Sequence, residues 1–389
     1  MKALMISDHT IHEMGCAAAL QKKGVEVSFL NIGSIYSKTI DNENLKNVII
    51  DIGKVQIQFN SIEMPTFGKG IMEIGRAVPN FLRNADFDLI ISTPQVPWYA
   101  AATIRRAHEI PLLIRVQMLR AAKLVDHLRM GRWHEMLLFG PSVFHNLLQV
   151  KLSNSVISLD NVTKKFMKSM MASESSLIYP TYAILGNREK SETEAIMKTR
   201  IRNFLKNDDY IFSITIASRG GAARIFDIYI LKILLRIALE NPNVKVIVLG
   251  TNDLEARKIL NLSELPYNLI LLGKIFSDDI VRELYIGARL IICPVMSRSI
   301  SNRLLEALFF AKPVLTNSIA GLLHPEICNN KNAIISNYYT SYGRIVKEAL
   351  RNDALLNNIS KGAGQLYRDH FSSDICGNAM IKEIRQIIT

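Results

Sequence analysis

The sequence predicts an α/β protein built from two doubly wound, Rossmann-like domains. Short apolar runs alternate with amphipathic stretches in both halves, a pattern typical of mostly parallel sheets covered on both faces. A chain of 389 residues is long for one domain. The polar stretch 186–206 is poor in aromatic residues and separates the halves. We therefore expect an N-terminal domain at 1–185, a linker at 186–206, a C-terminal domain at 207–370 and a terminal helix at 371–389.

The first half contains the elements of such a domain in order. Apolar runs predict strands at 3–6, 25–30, 48–52, 55–59, 87–92, 110–115 and 156–159. Helices are predicted from Met14 to Lys23, before Gly24, and from about Trp98 to Arg106. The glycine fingerprint of a dinucleotide site is absent after the first strand, which disfavours a nicotinamide-dependent dehydrogenase.

The second half repeats this alternation more regularly. Strands are predicted at 210–216, 244–249, 269–272, 290–294 and 314–315, and single helices at 226–239, 253–260, 279–288 and 373–388, with more than one helix within 342–365. A further helix begins near Asn302 and stops before Pro313. Ser301 or Asn302 is expected to cap it, because a short polar side chain can accept from the amides of the first turn.

The start of the helix at Asn302 has the features of an anion site. It follows a buried strand, and its first turn carries Arg303 and no acidic residue before Glu306. Free amides and the helix dipole attract negative charge at such an end. We expect the amides at Ser301 and Asn302, together with Arg303, to face an anionic ligand.

A second basic motif follows the strand predicted at 210–216. Arg219 and Arg224 flank a pair of glycines, in a loop expected at the carboxyl end of that strand. Two guanidinium groups there can pair with both phosphates of a nucleoside diphosphate and stabilise the charge that it gains as a leaving group.

The two motifs together resemble the donor site of family 4 (group 1) glycosyltransferases, which have the GT-B fold. The run Asn-Arg-Leu-Leu-Glu-Ala at 302–307 is similar to the subgroup with Asn-Lys/Arg-x-x-Glu-Ala, and the two arginines stand where relatives have Arg and Lys. The resemblance implies two domains facing a cleft, with helix 371–389 returning to the first. It implies that Glu306 accepts from the ribose hydroxyls of a UDP- or GDP-linked sugar. The loop with Gly273 and Lys274 would lie against the base.

The resemblance further implies a retaining transfer to a glycan or lipid-linked acceptor, without metal or other cofactor. Arg298 stands where the family has its first Glu, and Ala311 where it has Gly. Gln117 stands near the position of the family's first-domain His, with His9 and His12 as nearby acceptor-side residues. No catalytic residue is therefore assigned. Two alternatives stay open: a catalytically inactive GT-B-like subunit that binds a partner transferase or glycan, and a nucleotide-sugar epimerase.

The charge distribution indicates anionic partners. The net charge is +12, and residues 103–168 contain eleven Lys and Arg against four Asp and Glu. In the segment 115–150 these cations lie among Trp, Phe and Leu, which suits the surface of a membrane as well as the solvated face of a core helix. No membrane span, signal peptide, metal site or nucleic-acid motif is found. We expect a cytoplasmic protein with reduced cysteines that contacts the membrane peripherally through 115–150.

Overall fold

The computed structural model describes residues 1–7, 10–32, 48–52, 55–62, 86–93, 109–116, 147–171, 174–182, 210–215, 222–274, 278–296 and 301–388. The chain divides into two compact units. The first is Met1–Gly186 with His370–Thr389, and the second is Asn187–Asp369. The terminal segment therefore belongs to the first unit, although the second unit separates it from the rest of that unit in sequence.

In the first unit the described strands form one sheet. Their bounds are β1 Lys2–Ser7, β2 Glu26–Ile32, β3 Val48–Ile52, β4 Val55–Ile62, β5 Leu89–Ser92, β6 Leu112–Val116, β7 Ser155–Ser158 and β8 Ser176–Leu177. The order is β3-β4-β2-β1-β5-β6-β7-β8. Only the β3–β4 pair is antiparallel among the described strands. The consecutive residues 3–6 of β1 are all buried, as in a strand covered on both faces.

The second unit contains a parallel sheet. Its described strands are β9 Tyr210–Ile214, β10 Lys245–Leu249, β11 Leu269–Leu271, β12 Leu290–Ile292, β13 Val314–Thr316 and β14 Ile334–Ile335. They follow the order β11-β10-β9-β12-β13-β14. The two α/β sheets confirm the predicted fold class of two Rossmann-like domains.

The described helices connect and cover these strands. They are α1 Thr10–Gln21, α2 Asn161–Met171, α3 Ala222–Glu240, α4 Asp253–Leu260, α5 Asp278–Gly287, α6 Asn302–Phe309, α7 Ser318–Leu323, α8 Tyr342–Leu350, α9 Asp353–Leu366 and α10 Ser373–Ile388. Short 3₁₀ and π segments lie at Tyr339–Ser341 and Tyr367–Phe371.

The predicted element bounds differ from the observed ones mainly at their ends. The first helix begins at Thr10 rather than at Met14, and Gly24 after it has a left-handed φ of 83°. The helical stretch 342–365 consists of two helices, because the side chain of Asn352 accepts from the amide of Leu355 and starts a new one. The helix predicted from Trp98 to Arg106 lies outside the described residues.

The terminal helix α10 packs into the core of the first unit. Cys376, Met380 and Ile384 are buried against α1 and the sheet. Gly377 allows the close approach, because a Cβ built there would lie 2.8 Å from the carbonyl oxygen of Ala19. At the polar side of the helix, the carboxylate of Glu383 accepts hydrogen bonds from serines of β7 and β8. The end of the chain thus completes a core formed by its beginning.

Replacing Gly377 by Ala is expected to destabilise the first unit by about 1–3 kcal/mol, because the added methyl overlaps a backbone atom of α1. Urea unfolding followed by circular dichroism measures the change. The control is Asn378→Ala, on the exposed side of the same helix, which should alter stability by no more than about 0.5 kcal/mol. Equal effects of the two variants would contradict the close contact between α1 and α10.

Asp160 is a buried carboxyl group at the junction of β7 and α2. It accepts from the amide of Thr163 at 2.7 Å and from the hydroxyl of the same residue at 2.8 Å. Burial nevertheless raises its pKa from 3.8 to about 6, and the donated hydrogen bonds only partly offset the cost of burying the charge.

This raised pKa predicts a pH-dependent stability. The folded state holds the Asp160 proton more tightly, so the stabilisation is fully present below about pH 4 and is lost as the pH rises through about 6. Asp160→Asn should remove up to about 3 kcal/mol of this pH dependence. Urea unfolding of both proteins between pH 4 and pH 7 tests it. Parallel stability curves would show that the carboxyl group titrates normally.

Candidate functional site

The strand order of the second sheet reverses between β9 and β12. Strands β9, β10 and β11 follow one another to one edge, whereas β12 lies on the other side of β9. In doubly wound sheets such a switch point opens a crevice at the carboxyl ends of the strands. Helices α3 and α6 follow β9 and β12 and so begin at this edge. Neither has an acidic residue in its first turn.

Helix α6 begins as predicted at Asn302, with Ser301 as its N-cap residue. The expected side-chain cap is wrong for Ser301, whose side chain makes no cap hydrogen bond. Its hydroxyl instead lies 3.8 Å from the sulfur of Cys293. By contrast, Asn252 caps α4 through a complete capping box with Glu255. The side chain of Ser301 therefore caps no amide of α6, while its carbonyl oxygen accepts from the amide of Leu304 at 3.0 Å. The earlier amides of the first turn suit an external acceptor.

The charge of Arg303 is paired within the protein. Its guanidinium donates to the carboxylate of Asp227 on α3 at 3.0 Å. The Asp227 side chain is 5% exposed and that of Arg303 is 21% exposed. The acidic group that α6 lacks in its own first turn is therefore supplied by α3. Sequence reasoning missed Asp227, although an acid three residues after Arg224 was a usable signal.

Asp227 also lies in a network at the ends of two strands. The hydroxyl of Thr215, just after β9, donates to the Asp227 carbonyl oxygen at 2.8 Å and lies 3.3 Å from its Oδ1. The hydroxyl of Thr251, just after β10, donates to the carbonyl oxygen of Thr215 at 2.7 Å. These buried bonds fix the start of α3 relative to the sheet, and the Arg303 pair fixes α6 relative to α3.

Glu306 lies one turn further along α6 and is half-buried. Its carboxylate accepts from the hydroxyl of Tyr285 on α5 at 2.6 Å. Burial, followed by the charge of Glu306, raises the pKa of Tyr285 well above its ordinary value, so the hydroxyl keeps its proton and donates. This partner is not evident from the sequence alone, because Tyr285 resembles any buried aromatic residue of an amphipathic helix.

The loops after β10 and β11 are joined by backbone hydrogen bonds. The amide of Gly250 donates to the carbonyl oxygen of Gly273 at 2.6 Å. The amide of Gly273 donates to the carbonyl oxygen of Thr251 at 3.1 Å. Gly250 and Gly273 have positive φ values, 101° and 68°. Lys274, next along, is exposed. The predicted pair Gly273–Lys274 thus lies in an ordered turn beside the same sheet edge.

Ala311 stands where the resembling family has glycine, and its φ is +50°, a left-handed conformation that favours glycine. A Cβ built on Gly364 of α9 would come within 2.9 Å of the Ala311 Cβ. The missing glycine in one segment is therefore matched by a glycine in the segment that packs against it.

Several predicted residues cannot be placed. Arg219, His9 and Gln117 lie outside the described residues, as does Arg298. Arg224 lies in the first turn of α3 and His12 in α1, but their side chains are not described.

Arg115, the first residue of the segment assigned to a membrane surface, is fully buried in β6 and forms an ion pair with Glu13 of α1. It therefore cannot contact a membrane, and the expectation is wrong for this residue. Gln149 and Val150, at the other end of the segment, are also buried. Residues 117–146 between them lie outside the described part.

The part of the chain that the structure describes contains no candidate membrane span and no candidate metal cluster. None of its helices has the length and apolar character needed to cross a membrane. No three side chains among its His, Cys, Asp and Glu come together in a set that could hold a metal ion.

Comparison with known proteins gives one sequence match. Residues 226–351, which include α6, all of α3 beyond its first four residues and the Arg303–Asp227 pair, match the family described as "Glycosyl transferases group 1". The match covers about a third of the chain and falls in the second unit. No curated protein matches the chain by sequence.

Similarity in structure extends over the whole chain. Sucrose-phosphate synthase from Thermosynechococcus elongatus has a TM-score of 0.69 at 12% identity, covering 100% of this chain and 99% of that one. Alr3699/HepE of Anabaena, in complex with UDP and glucose, has a TM-score of 0.64 at 15% sequence identity, and the match covers 99% of each chain. UDP-GlcNAc 2-epimerase from Neisseria meningitidis, bound to UDP-GlcNAc, has a TM-score of 0.63 at 14% sequence identity. The match covers 99% of this chain and 100% of that one. At these identities the likeness establishes a shared GT-B-like fold.

Replacing Asp227 by Asn is expected to destabilise the second unit by about 2–4 kcal/mol, because it leaves a mostly buried guanidinium without its counter-charge. Guanidinium chloride unfolding measures the loss. The matched control is Asp253→Asn, which breaks an exposed pair with Arg257 on α4 and should cost at most about 1 kcal/mol. If both variants cost the same small amount, the Asp227 pair does not hold α3 and α6 together.

Proposed function

We propose that the chain is a retaining glycosyltransferase that moves a sugar from a nucleotide-sugar donor to a glycan or lipid-linked acceptor. The observation that carries the proposal is the convergence of α3 and α6 at the switch point of the second sheet. The match to a glycosyltransferase family, at residues 226–351, includes α6 and all of α3 beyond its first turn.

The proposed donor site uses the helix starts for the diphosphate. Two helices without acidic residues in their first turns direct amides and positive dipole ends toward one edge. Arg219 and Arg224 would add cations beside the phosphates, with the amides at Ser301 and Asn302 opposite. When the bond between the sugar and the phosphate breaks, the departing diphosphate gains negative charge, and these groups stabilise it.

The role proposed here for Arg303 differs from the direct contact with an anionic ligand that its position in the sequence suggested. Because it is paired with Asp227, it contributes less net charge to the site than an unpaired arginine would. We propose that it mainly holds α6 in place. Glu306 would accept from the ribose hydroxyls, and the turn at Gly273 and Lys274 would lie against the base.

We further propose that transfer needs no metal or cofactor and that the donor is UDP- or GDP-linked. The solved relatives named above include complexes with UDP and UDP-GlcNAc, which favours UDP. The acceptor would bind on the first unit near His9, His12 and Gln117. A cytoplasmic location with peripheral membrane contact through residues 117–146 would suit a lipid-linked acceptor.

The donor site predicts selective nucleotide binding. One of UDP, GDP, ADP and TDP should raise the thermal stability of the wild type, by about 2.7 kcal/mol at a hundred times its Kd. Arg224→Ala and Glu306→Ala should reduce the shift strongly. The control is Arg236→Ala, which removes an exposed cation from the same helix α3, where it pairs with Glu240, and should keep the full shift. The proposal fails if no nucleotide shifts the wild type.

Turnover distinguishes the proposed function from its two rivals. Incubation with a radiolabelled nucleotide sugar and a natural membrane extract should move label into the glycan or lipid fraction. Conversion of the nucleotide sugar without any acceptor would indicate an epimerase, which the structural likeness to UDP-GlcNAc 2-epimerase makes a specific alternative. Nucleotide binding without either reaction would indicate the inactive subunit, in line with Arg298 at the position of the first Glu.

A further inference from the structure

The hydrogen bond between Tyr285 and Glu306 joins two neighbouring helices of the second unit. Tyr285 lies on α5, ahead of β12, and Glu306 on α6, which follows β12. The hydroxyl donates to Glu306 Oε2 at 2.6 Å. We propose that Tyr285 is a positioning residue of the donor site, which holds the Glu306 carboxylate in the orientation that accepts the ribose hydroxyls. This inference depends on the donor site proposed above.

The ring of Tyr285 is immobilised on both sides. It meets Phe212 of β9 edge-on, with ring centroids 5.0 Å apart and planes at 87°. It stacks on Phe310, at the end of α6, with centroids 5.3 Å apart and planes at 21°. The side chain is fully buried. The hydroxyl is therefore held at a fixed point relative to both β9 and α6.

A glutamate on a half-exposed helix face has three rotatable bonds, and ordering it costs conformational entropy. A bond to a rigid, buried hydroxyl meets that cost during folding rather than during ligand binding, so the ligand binds a preorganised group. The 2.6 Å separation is typical of a charge-assisted O–H···O⁻ bond.

One hydrogen bond does not exhaust the accepting capacity of a carboxylate. An ionised carboxylate has about four lone-pair sites, and Tyr285 occupies one of them. The two vicinal hydroxyls of a ribose are donors whose spacing matches that of the two oxygens of a carboxylate. The Tyr285 hydroxyl lies in addition 3.4 Å from the carbonyl oxygen of Arg303, so the same ring lies beside the turn of α6 that Asp227 holds through the Arg303 side chain.

The test is recognition of the ribose. Isothermal titration gives the Kd of UDP and of its 2′,3′-dideoxy form (or of the GDP pair, if the wild type binds GDP). The wild type should bind the ribonucleotide about tenfold more tightly, the value of a hydrogen-bonded pair to a charged group. Tyr285→Phe should weaken the binding of UDP about five- to tenfold and keep the Kd of the dideoxy form within twofold of the wild-type value. The ratio of the two Kd values then falls toward one. Glu306→Gln should lower the same ratio.

A matched variant separates positioning from general stability. Tyr210 is buried and its hydroxyl donates to the carbonyl oxygen of Leu284, also on α5, at 2.8 Å. It lies at the amino end of β9, away from the candidate site. Tyr210→Phe therefore removes a comparable bond from the same helix. It should lower the melting temperature about as much as Tyr285→Phe and leave the ratio of the two Kd values unchanged.

Each remaining outcome overturns the inference in a distinguishable way. If Glu306→Gln abolishes ribose discrimination while Tyr285→Phe preserves it, Glu306 reads the ribose without help, and the proposed function stands. If neither variant changes the ratio of the Kd values, Glu306 is a structural partner of Tyr285 only. The phosphate part of the site is then tested separately by nucleotide binding to Arg224→Ala. If the wild type binds no nucleotide, the proposed function fails and the inference fails with it.

Discussion

The ion pair between Arg303 and Asp227 is the interaction on which the arrangement of the second unit depends. It joins the starts of α3 and α6 at the point where the strand order reverses. A guanidinium in the first turn of α6 is unfavourable beside the positive end of the helix dipole, and the Asp227 carboxylate neutralises it. The bonds from Thr215 and Thr251 then tie the carboxylate's helix to the sheet. The starts of α3 and α6 are thereby held together by the protein itself.

The fold could be predicted from the sequence because its signals are local. Buried parallel strands such as β10 and β12 are short, continuous apolar runs, and the helix at Asn302 follows a clear strand and stops before Pro313. Element ends were less predictable, since the start of α1 and the break at Asn352 are set by individual side-chain and backbone bonds. For the site, the sequence identified the motif residues on α6.

The partners of those residues could not be predicted, because they come from distant parts of the chain. Asp227 precedes Arg303 by 76 positions, and Tyr285 precedes Glu306 by 21. Only the packing of α3, α5 and α6 brings them together. A charged side chain in a motif therefore indicates where a ligand is expected. It does not indicate whether another group of the protein already neutralises its charge. Arg303 is the example: its sequence position indicates a free cation, and its structure shows a paired one.

The position of α10 in the core of the first unit bears on the order in which the molecule assembles. Cys376, Met380 and Ile384 fill space against α1, yet they follow the whole second unit in sequence. The second unit is contiguous in sequence and emerges complete while the first, synthesised earlier, still lacks one wall of its core. A nascent chain therefore leaves the apolar surface of α1 uncovered by α10 until the second unit has been synthesised. The first unit can complete its core only after the second unit has been synthesised.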